Sequence, residues 1–330
     1  MKDYVFQHNL WKNNFSHLGK ISKINLLEGH NVNSQNYLVS TKNSSYVLHH
    51  VNDGSSFVKI NHMCLIQQFC HRHKAKVTKS IKNSKGQYVN YSQKYFLTKY
   101  YPGKTFSGNK NELLSISKEL ATLHKILSKY PLPFNFRLNQ KNYRILTINE
   151  LNKISKIIDK KNSFYLLDKS ILKNLKYLYK ILSEFENLTS ITKIPNQKIQ
   201  LIHHDLHPNN VIFGNNKVSA IIDFSNMRKG NVLEDIFFTG YRFSSFNNQS
   251  DKHLKKNLFL FLDNYLKYNS VKPISEELFR FFLTKKFLER LSFIMRKNYF
   301  SSSDAWVFDF NYQLKMLKQI SCSDIFPNIA

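Results

Sequence analysis

Acidic residues are scarce in this chain. Only 22 Asp and Glu face 49 Lys and Arg, a formal net charge of +27 over 330 residues. A site built to hold a polycation needs several carboxylates on its desolvated amines, so this scarcity weighs against one. Cysteine is also sparse: Cys64, Cys70 and Cys322 cannot all pair with one another. Reduced thiols fit better than a secreted disulfide framework. Long apolar runs are missing too. The stretch Leu258 to Leu262 is flanked by Asn257 and Asp263, far below membrane-spanning length. The opening MKDYVFQHNLWKNN lacks the apolar core of a signal peptide. A cytoplasmic location with no membrane partner is the expectation.

What is present describes a folded protein. Hydrophobic residues make up 42% and aromatics 14%, outside the disordered range, and the length suits one large domain or two lobes. The positive charge invites a polyanion-binding reading, since Lys and Arg attract phosphate backbones. Its distribution opposes that reading. Lysines run from Lys12 to Lys318 without gathering into one arm, and abundant Lys, Asn, Ile, Phe and Tyr with few Gly and Pro match AT-rich codon usage. Nucleic acid is not the expected partner; attraction of small anions is the simpler consequence of the same field. Cys64, Cys70, His71 and His73 match no standard zinc spacing, and packing on an amphipathic helix accounts for the two cysteines.

Two rhythms divide the chain. From about residue 21 to 100, short alternating runs are punctuated by Gly, Asn and Ser. Ile21–Glu28, Asn36–Ser40, Tyr46–Val51, Lys76–Lys82, Gln87–Tyr91 and Tyr95–Tyr100 predict strands, with one helix from Ser56 to His71. After Pro102 the pattern turns helical. Asn111–Lys129, Leu146–Lys160 and Asp168–Asn187 predict helices, and helices resume near Leu233 with breaks near Asn248 and Pro273. The order predicts residues 1–100 as a small lobe, a sheet plus one helix, and 101–330 as a larger helical lobe.

A β-like island at 200–225 interrupts the helices. Leu201-Ile202-His203-His204-Asp205-Leu206-His207-Pro208-Asn209-Asn210-Val211-Ile212-Phe213 brings a cluster of polar residues between apolar runs. After the Asn215-Asn216 turn, a second apolar run ends at Asp223-Phe224. A hairpin would collect Asp205, Asn210 and Asp223 at one end. Asn210 and Asp223 offer hard oxygen ligands suited to Mg2+, and Asp205 a carboxylate able to orient a hydroxyl and take its proton. His203 suits bracing the loop through backbone groups better than reacting.

His203-x-Asp205-Leu206-His207-x-x-Asn210, followed by Ile222-Asp223-Phe224, resembles the aminoglycoside phosphotransferase and choline kinase superfamily. Asn210 follows Asp205 by 5 and Asp223 follows it by 18, the spacing of the catalytic and metal-binding loops in that family. Leu120-Ala121-Thr122-Leu123-His124 resembles the helix after its hinge. The resemblance implies an α+β, bilobal protein-kinase-like fold with a small β-rich N-lobe and a larger, mostly helical C-lobe. It implies ATP as phosphate donor, Mg2+, and a small-molecule hydroxyl acceptor such as a sugar, an amino alcohol or an amino acid like homoserine. Asp205 becomes the base, Asn210 and Asp223 the metal ligands, and His203 and His207 loop supports. His207 stands where protein kinases place Lys, and no Ala-Pro-Glu follows, which favours the small-molecule branch.

On the nucleotide side, Gly29-His30-Asn31-Val32-Asn33-Ser34 occupies the place of the phosphate-covering loop, making Asn31, Asn33 and Ser34 candidate contacts. Leu97-Thr98-Lys99-Tyr100 occupies the hinge, with Thr98 and Tyr100 near the base. The family's phosphate-binding Lys is replaced by His49-His50, and the helix that usually supplies its Glu partner offers Gln67 and Gln68. A protonated His49 or His50, or Lys59, would have to serve. The alternative is a pseudokinase that binds nucleotide without turnover. The residues fix neither the acceptor nor the oligomeric state.

Overall fold

The computed structural model describes residues 2–27, 34–51, 57–90, 95–131, 144–161, 163–191, 199–248, 250–271, 274–301 and 306–327. By packing, the chain divides into two compact units. One holds residues 1–139 and 201–229; the other holds 140–200 and 230–330.

The first unit opens with helix α1 (Lys2–Asn14), followed by strands β1 (Ile21–Leu27), β2 (Ser34–Thr41) and β3 (Ser45–Val51). Helix α2 (Phe57–Arg72) precedes the short strands β4 (Ser80–Ile81) and β5 (Val89–Asn90) and the strand β6 (Tyr95–Lys99). The antiparallel sheet runs β1-β2-β3-β6-β4, with β5 also on β6. Its period-two alternation has a visible cause. Tyr37 and Val39 on β2, Tyr46 and Leu48 on β3, and Tyr95 and Leu97 on β6 bury one face with Leu10 and Trp11 of α1 and with Phe15. Trp11 also donates its Nε1–H to the Gly19 carbonyl at 2.9 Å, tying α1 to the entry of β1. Helix α2 buries Ile60, Met63, Cys64, Ile66 and Cys70 and packs on β4, β5 and the next helix.

Helix α3 (Lys110–Leu127) starts where the Asn109 side chain accepts from the Asn111 amide, and buries Leu113, Ile116, Leu120, Leu123 and Leu127. These fall at helical spacing, so one face is apolar, and the helix packs on the hairpin formed after residue 210. That hairpin is strand β8 (Val211–Gly214) against β9 (Lys217–Ile221), after strand β7 (Ile199–Ile202). The turn residues Asn215 and Asn216 both take positive φ, the backbone that a two-residue hairpin turn demands.

In the second unit lie α4 (Ile148–Asp159), α5 (Leu166–Lys173), α6 (Leu175–Ile191), α7 (Val232–Ser244), α8 (Asp251–Tyr268), α9 (Glu276–Phe300) and α10 (Val307–Cys322). Strand β10 (Arg228–Asn231) leads into α7. Helix α9 packs against α4, α6, α7 and α10, and Phe279, Leu283, Phe287, Leu291 and Ile294 along it are fully buried. Burying each such side chain contributes about 1.5–3 kcal/mol before chain entropy is counted.

Three local expectations change. The single helix over Asp168–Asn187 is two, α5 and α6, meeting at Asn174, whose side-chain amide turns back to the Ser170 carbonyl at 2.8 Å. The strand over Lys76–Lys82 shrinks to Ser80–Ile81, because Lys76 to Thr78 bond to β9 rather than to the sheet. The strand over Gln87–Tyr91 is reduced to Val89–Asn90 among the described residues. At the start of α10, Phe310 turns fully into the core while Phe308 and Tyr312 stay exposed. No helix among the described residues is long and apolar enough to cross a membrane.

Candidate active site

Backbone bonding on both edges holds the hairpin. On the β8 side, Lys104 and Phe213 exchange amide-to-carbonyl bonds of 3.0 and 2.8 Å. On the β9 side, the Ile221 amide donates to the Lys76 carbonyl at 2.7 Å and the Thr78 amide donates to the Ile221 carbonyl at 3.1 Å. Gly103 is required for the first contact: a Cβ there would overlap the Phe213 carbonyl oxygen and the Ile212 methyl. The Val218 amide also donates to Ser115 Oγ of α3 at 3.0 Å.

The loop that carries Asp205 leaves β7 through His203, which is fully buried. Its Nε2 lies 3.1 Å from the Ile222 carbonyl, and its Nδ1 accepts from the Asp205 amide at 3.4 Å. A carbonyl at one nitrogen and an N–H at the other fix the tautomer with hydrogen on Nε2. The ring is therefore committed to backbone at both ends and meets Phe224 edge-on, centroids 4.9 Å apart. His204 takes a φ of 68°, an uncommon conformation for a residue with a side chain and one that gathers at functional sites. His207 caps the single turn Pro208–Asn210: its Nδ1 accepts from the Asn209 amide at 3.3 Å.

Three chemistry-bearing side chains meet at this end of the hairpin. Val211 pairs with Ile221, and the Ile222 amide donates to the Asn210 carbonyl at 2.9 Å, so Asn210 lies across from Ile222 and Asp223 follows directly. The Asn210 side-chain N–H donates to the Asp205 carbonyl at 2.9 Å, which leaves its Oδ1 uncommitted. Asp223 sits at φ 57°, ψ 71°, with Oδ1 accepting from the Ser225 amide at 3.2 Å and hydroxyl at 2.6 Å. The residue types in this donor set, an amide oxygen and a carboxylate, fit a hard divalent cation that completes its shell with phosphate and water.

Asn226 is the residue that sequence reasoning missed. Its Nδ2–H donates to Asp205 Oδ2 at 2.9 Å, holding one carboxylate oxygen. Its place three residues after Asp223 does not by itself give the contact away; the turn after that aspartate folds back and brings the amide to Asp205.

The N-terminal sheet carries a neutral arrangement where an ion pair was sought. His49 Nδ1 lies 2.9 Å from Asn36 Oδ1 and Nε2 lies 2.9 Å from Thr98 Oγ1, with the ring stacked on Phe96 at 4.3 Å. Burial pushes its imidazole down to about 4, so it is uncharged at neutral pH and the idea of a protonated His49 falls away. Gln67, buried on α2, donates to Thr78 Oγ1 at 3.1 Å and accepts from Ser80 Oγ at 2.7 Å. The Thr98 hydroxyl is thus engaged by His49, and the Tyr100 amide already donates to the Ser45 carbonyl at 3.0 Å. Asn31 and Asn33 lie outside the described residues. Ser34 is described only by its strand position, opposite Val51.

An antiparallel sheet with one helix, an edge-bonded hairpin and a helical unit make the architecture of a kinase-like phosphotransferase fold. Residues 26–258 match the model of the phosphotransferase enzyme family, and the chain belongs to that family. Solved structures share the fold. A spectinomycin phosphotransferase in complex with ADP and spectinomycin is 14% identical, with a TM-score of 0.66 over 96% of this chain and 93% of that one. The choline kinase of Streptococcus pneumoniae is 14% identical, TM-score 0.62, over 97% of this chain and 100% of its own. A Plasmodium vivax ethanolamine kinase is 18% identical, TM-score 0.58, over 93% and 84%. Among curated protein sequences none matches the chain.

Proposed function

We propose that this protein is a cytoplasmic kinase that transfers the terminal phosphoryl group of ATP to a hydroxyl of a small molecule, with Mg2+ as its metal. The observation that carries the reading is the Asp205 carboxylate, held by Asn226 at one oxygen, beside the oxygen donors Asn210 and Asp223. In this reading Asp205 orients the acceptor hydroxyl and takes its proton. His203 and His207 fix the loop so that Asp205 does not have to be ordered at each turnover. Asn210 and Asp223 hold the metal, which when bound offsets negative charge on the phosphates. Residues 1–100 form the nucleotide-covering part and 101–330 the part with the hairpin and the acceptor's helices. Around the nucleotide we place Asn31, Asn33, Ser34, His49, Thr98 and Tyr100, with His49 acting as a neutral hydrogen-bonding group. The spectinomycin phosphotransferase bound to ADP supports nucleotide use.

One observation favours a second reading. The neutral His49–Asn36–Thr98 and Gln67–Thr78–Ser80 networks stand where a Lys–Glu pair would grip the phosphates, as expected of a pseudokinase that binds nucleotide without turnover. The deciding assay is ADP release with Mg2+ and ATP against sugars, amino alcohols, homoserine and hydroxy acids, wild type beside Asp205→Asn. Acceptor-dependent release lost in the variant supports the kinase. Nucleotide binding without release by the wild type against every acceptor refutes it in favour of the pseudokinase.

A further inference from the structure

Three large apolar side chains stand in water side by side in the second unit. Phe164, Tyr165 and Leu166, running into the first residue of α5, are 45%, 72% and 67% exposed. Single exposed apolar residues, such as Leu26 and Val58 of the first unit, are ordinary in a folded protein. A consecutive exposed run is not, and it is a liability unless it is used. The run is also held outward. The Tyr165 amide donates to Asp168 Oδ2 at 2.8 Å. That buried carboxylate is fixed in turn by Lys161 Nζ at 2.8 and 3.0 Å and by the Tyr299 hydroxyl of α9 at 2.5 Å. Lys161 Nζ packs 5.4 Å from the Tyr165 ring and 5.1 Å from the Tyr299 ring. The backbone under the run is thereby anchored to α9, so presenting it takes little further ordering.

The charge beside the run is of one sign. Residues 153–176 hold seven lysines against two aspartates, Asp159 and Asp168. Lys161 is paired with Asp168, and the other six lysines are exposed. Apolar side chains gain by entering the boundary between headgroups and acyl chains, and tyrosine is favoured at that depth. Lysines beside them gain from anionic headgroups. We infer that the Phe164–Leu166 tip and the lysines of α4 and α5 form a docking surface for an anionic lipid membrane. Such a contact lies on the bilayer and needs no crossing helix; the shortness of the apolar runs speaks only to spanning.

Other occupants match fewer of these features. A second copy would bring a like-charged tip against this one. Single-stranded nucleic acid offers bases to the two aromatic rings and phosphates to the lysines, but nothing that takes the aliphatic Leu166 out of water.

The test is co-sedimentation of the full chain with vesicles of phosphatidylcholine alone and of phosphatidylcholine mixed with phosphatidylglycerol. Wild type should bind the mixed vesicles, and less tightly as salt rises. Phe164→Ser with Leu166→Ser should weaken binding roughly 10–100-fold, and Lys156→Gln with Lys160→Gln roughly fivefold for each lysine. The controls are Phe308→Ser, an exposed ring of α10, and Lys252→Gln with Lys256→Gln on α8; each should stay within about twofold of wild type. Thermal melting checks that every variant folds. Tyr165→Trp gives a second readout, an added emission that shifts to the blue when mixed vesicles are present. Failure of wild type to sediment with mixed vesicles, equal weakening in the controls, or an unshifted Tyr165→Trp emission overturns the proposal. So does a single-stranded oligonucleotide, or a concentration-dependent dimer, whose binding is lost in the Phe164→Ser, Leu166→Ser variant while vesicle binding is kept.

Discussion

Replacing Gly103 with alanine tests whether the catalytic hairpin is held by close backbone approach. The added Cβ would overlap the Phe213 carbonyl oxygen and the Ile212 methyl. Neither can retreat without stretching the two Lys104–Phe213 bonds of 3.0 and 2.8 Å. Losing two net hydrogen bonds costs about 1 kcal/mol each, and overpacking adds roughly 1–3 kcal/mol. A total of about 3–5 kcal/mol should lower Tm by roughly 4–7 °C in a chain of 330 residues. Gly86→Ala is the matched comparison. Gly86 has φ +76° but nothing within 4 Å of the added atom, so only backbone strain of roughly 1–2 kcal/mol remains. Gly103 also sits at positive φ, +157°, so the excess loss of Gly103→Ala over Gly86→Ala in differential scanning calorimetry reads the crowding. If Gly103→Ala melts at or above Gly86→Ala, the close-approach reasoning is wrong.

Asn226→Leu removes the hydrogen bond to Asp205 Oδ2. A bond to a charged group is worth about 1.5–3 kcal/mol, so on the proposed role of Asp205 kcat should fall roughly 10–100-fold on any accepted substrate with little change in ATP affinity; unchanged kcat would show that Asn226 does not position Asp205 for turnover. Glu150 predicts an acid limb. Hydrogen bonding from Arg296 holds its carboxyl at about 2, below the ordinary 4.5. A folded-state value below the unfolded one stabilises above about pH 4.5, and the contribution drains away as pH falls toward 2. Glu150→Gln should therefore cost about 1–2 kcal/mol at pH 7, after allowance for solvent screening, and converge with wild type near pH 2; a pH-independent difference in urea midpoints would contradict this.

The hairpin was legible because a polar cluster between apolar runs and an Asn215-Asn216 turn mark two short strands, and the structure brings Asn210 opposite Ile222, beside Asp223, as that pattern requires. Regular elements with strong periodicity, such as α3, were legible for the same reason that they fold, one apolar face. Helix α1 was not. Its KDYVFQHNLWKNN carries no apolar stripe, and it is held by Leu10, Trp11 and the neighbouring Phe15 meeting the sheet, a tertiary choice. His49 was misjudged in charge, because a titrating group reads as cationic until its burial against Phe96 and Thr98 is known. Asn226 was overlooked since nothing local says that its amide reaches back across the turn.

The bonds that fasten the hairpin join Lys104 to Phe213, and Lys76 and Thr78 to Ile221, closing chain loops of more than a hundred residues. Long loops are costly to close and their contacts form slowly. During synthesis the sheet strands and α2 emerge first and can pair locally, while Asp205, Asn210 and Asp223 acquire their backbone frame only once residue 221 is available to reach back. Placement of Asp205 and Asp223 is thus tied to the slowest topological event of the first unit, and a refolding experiment should regain protection of the β2 and β3 amides before that of the Lys104 and Phe213 amides.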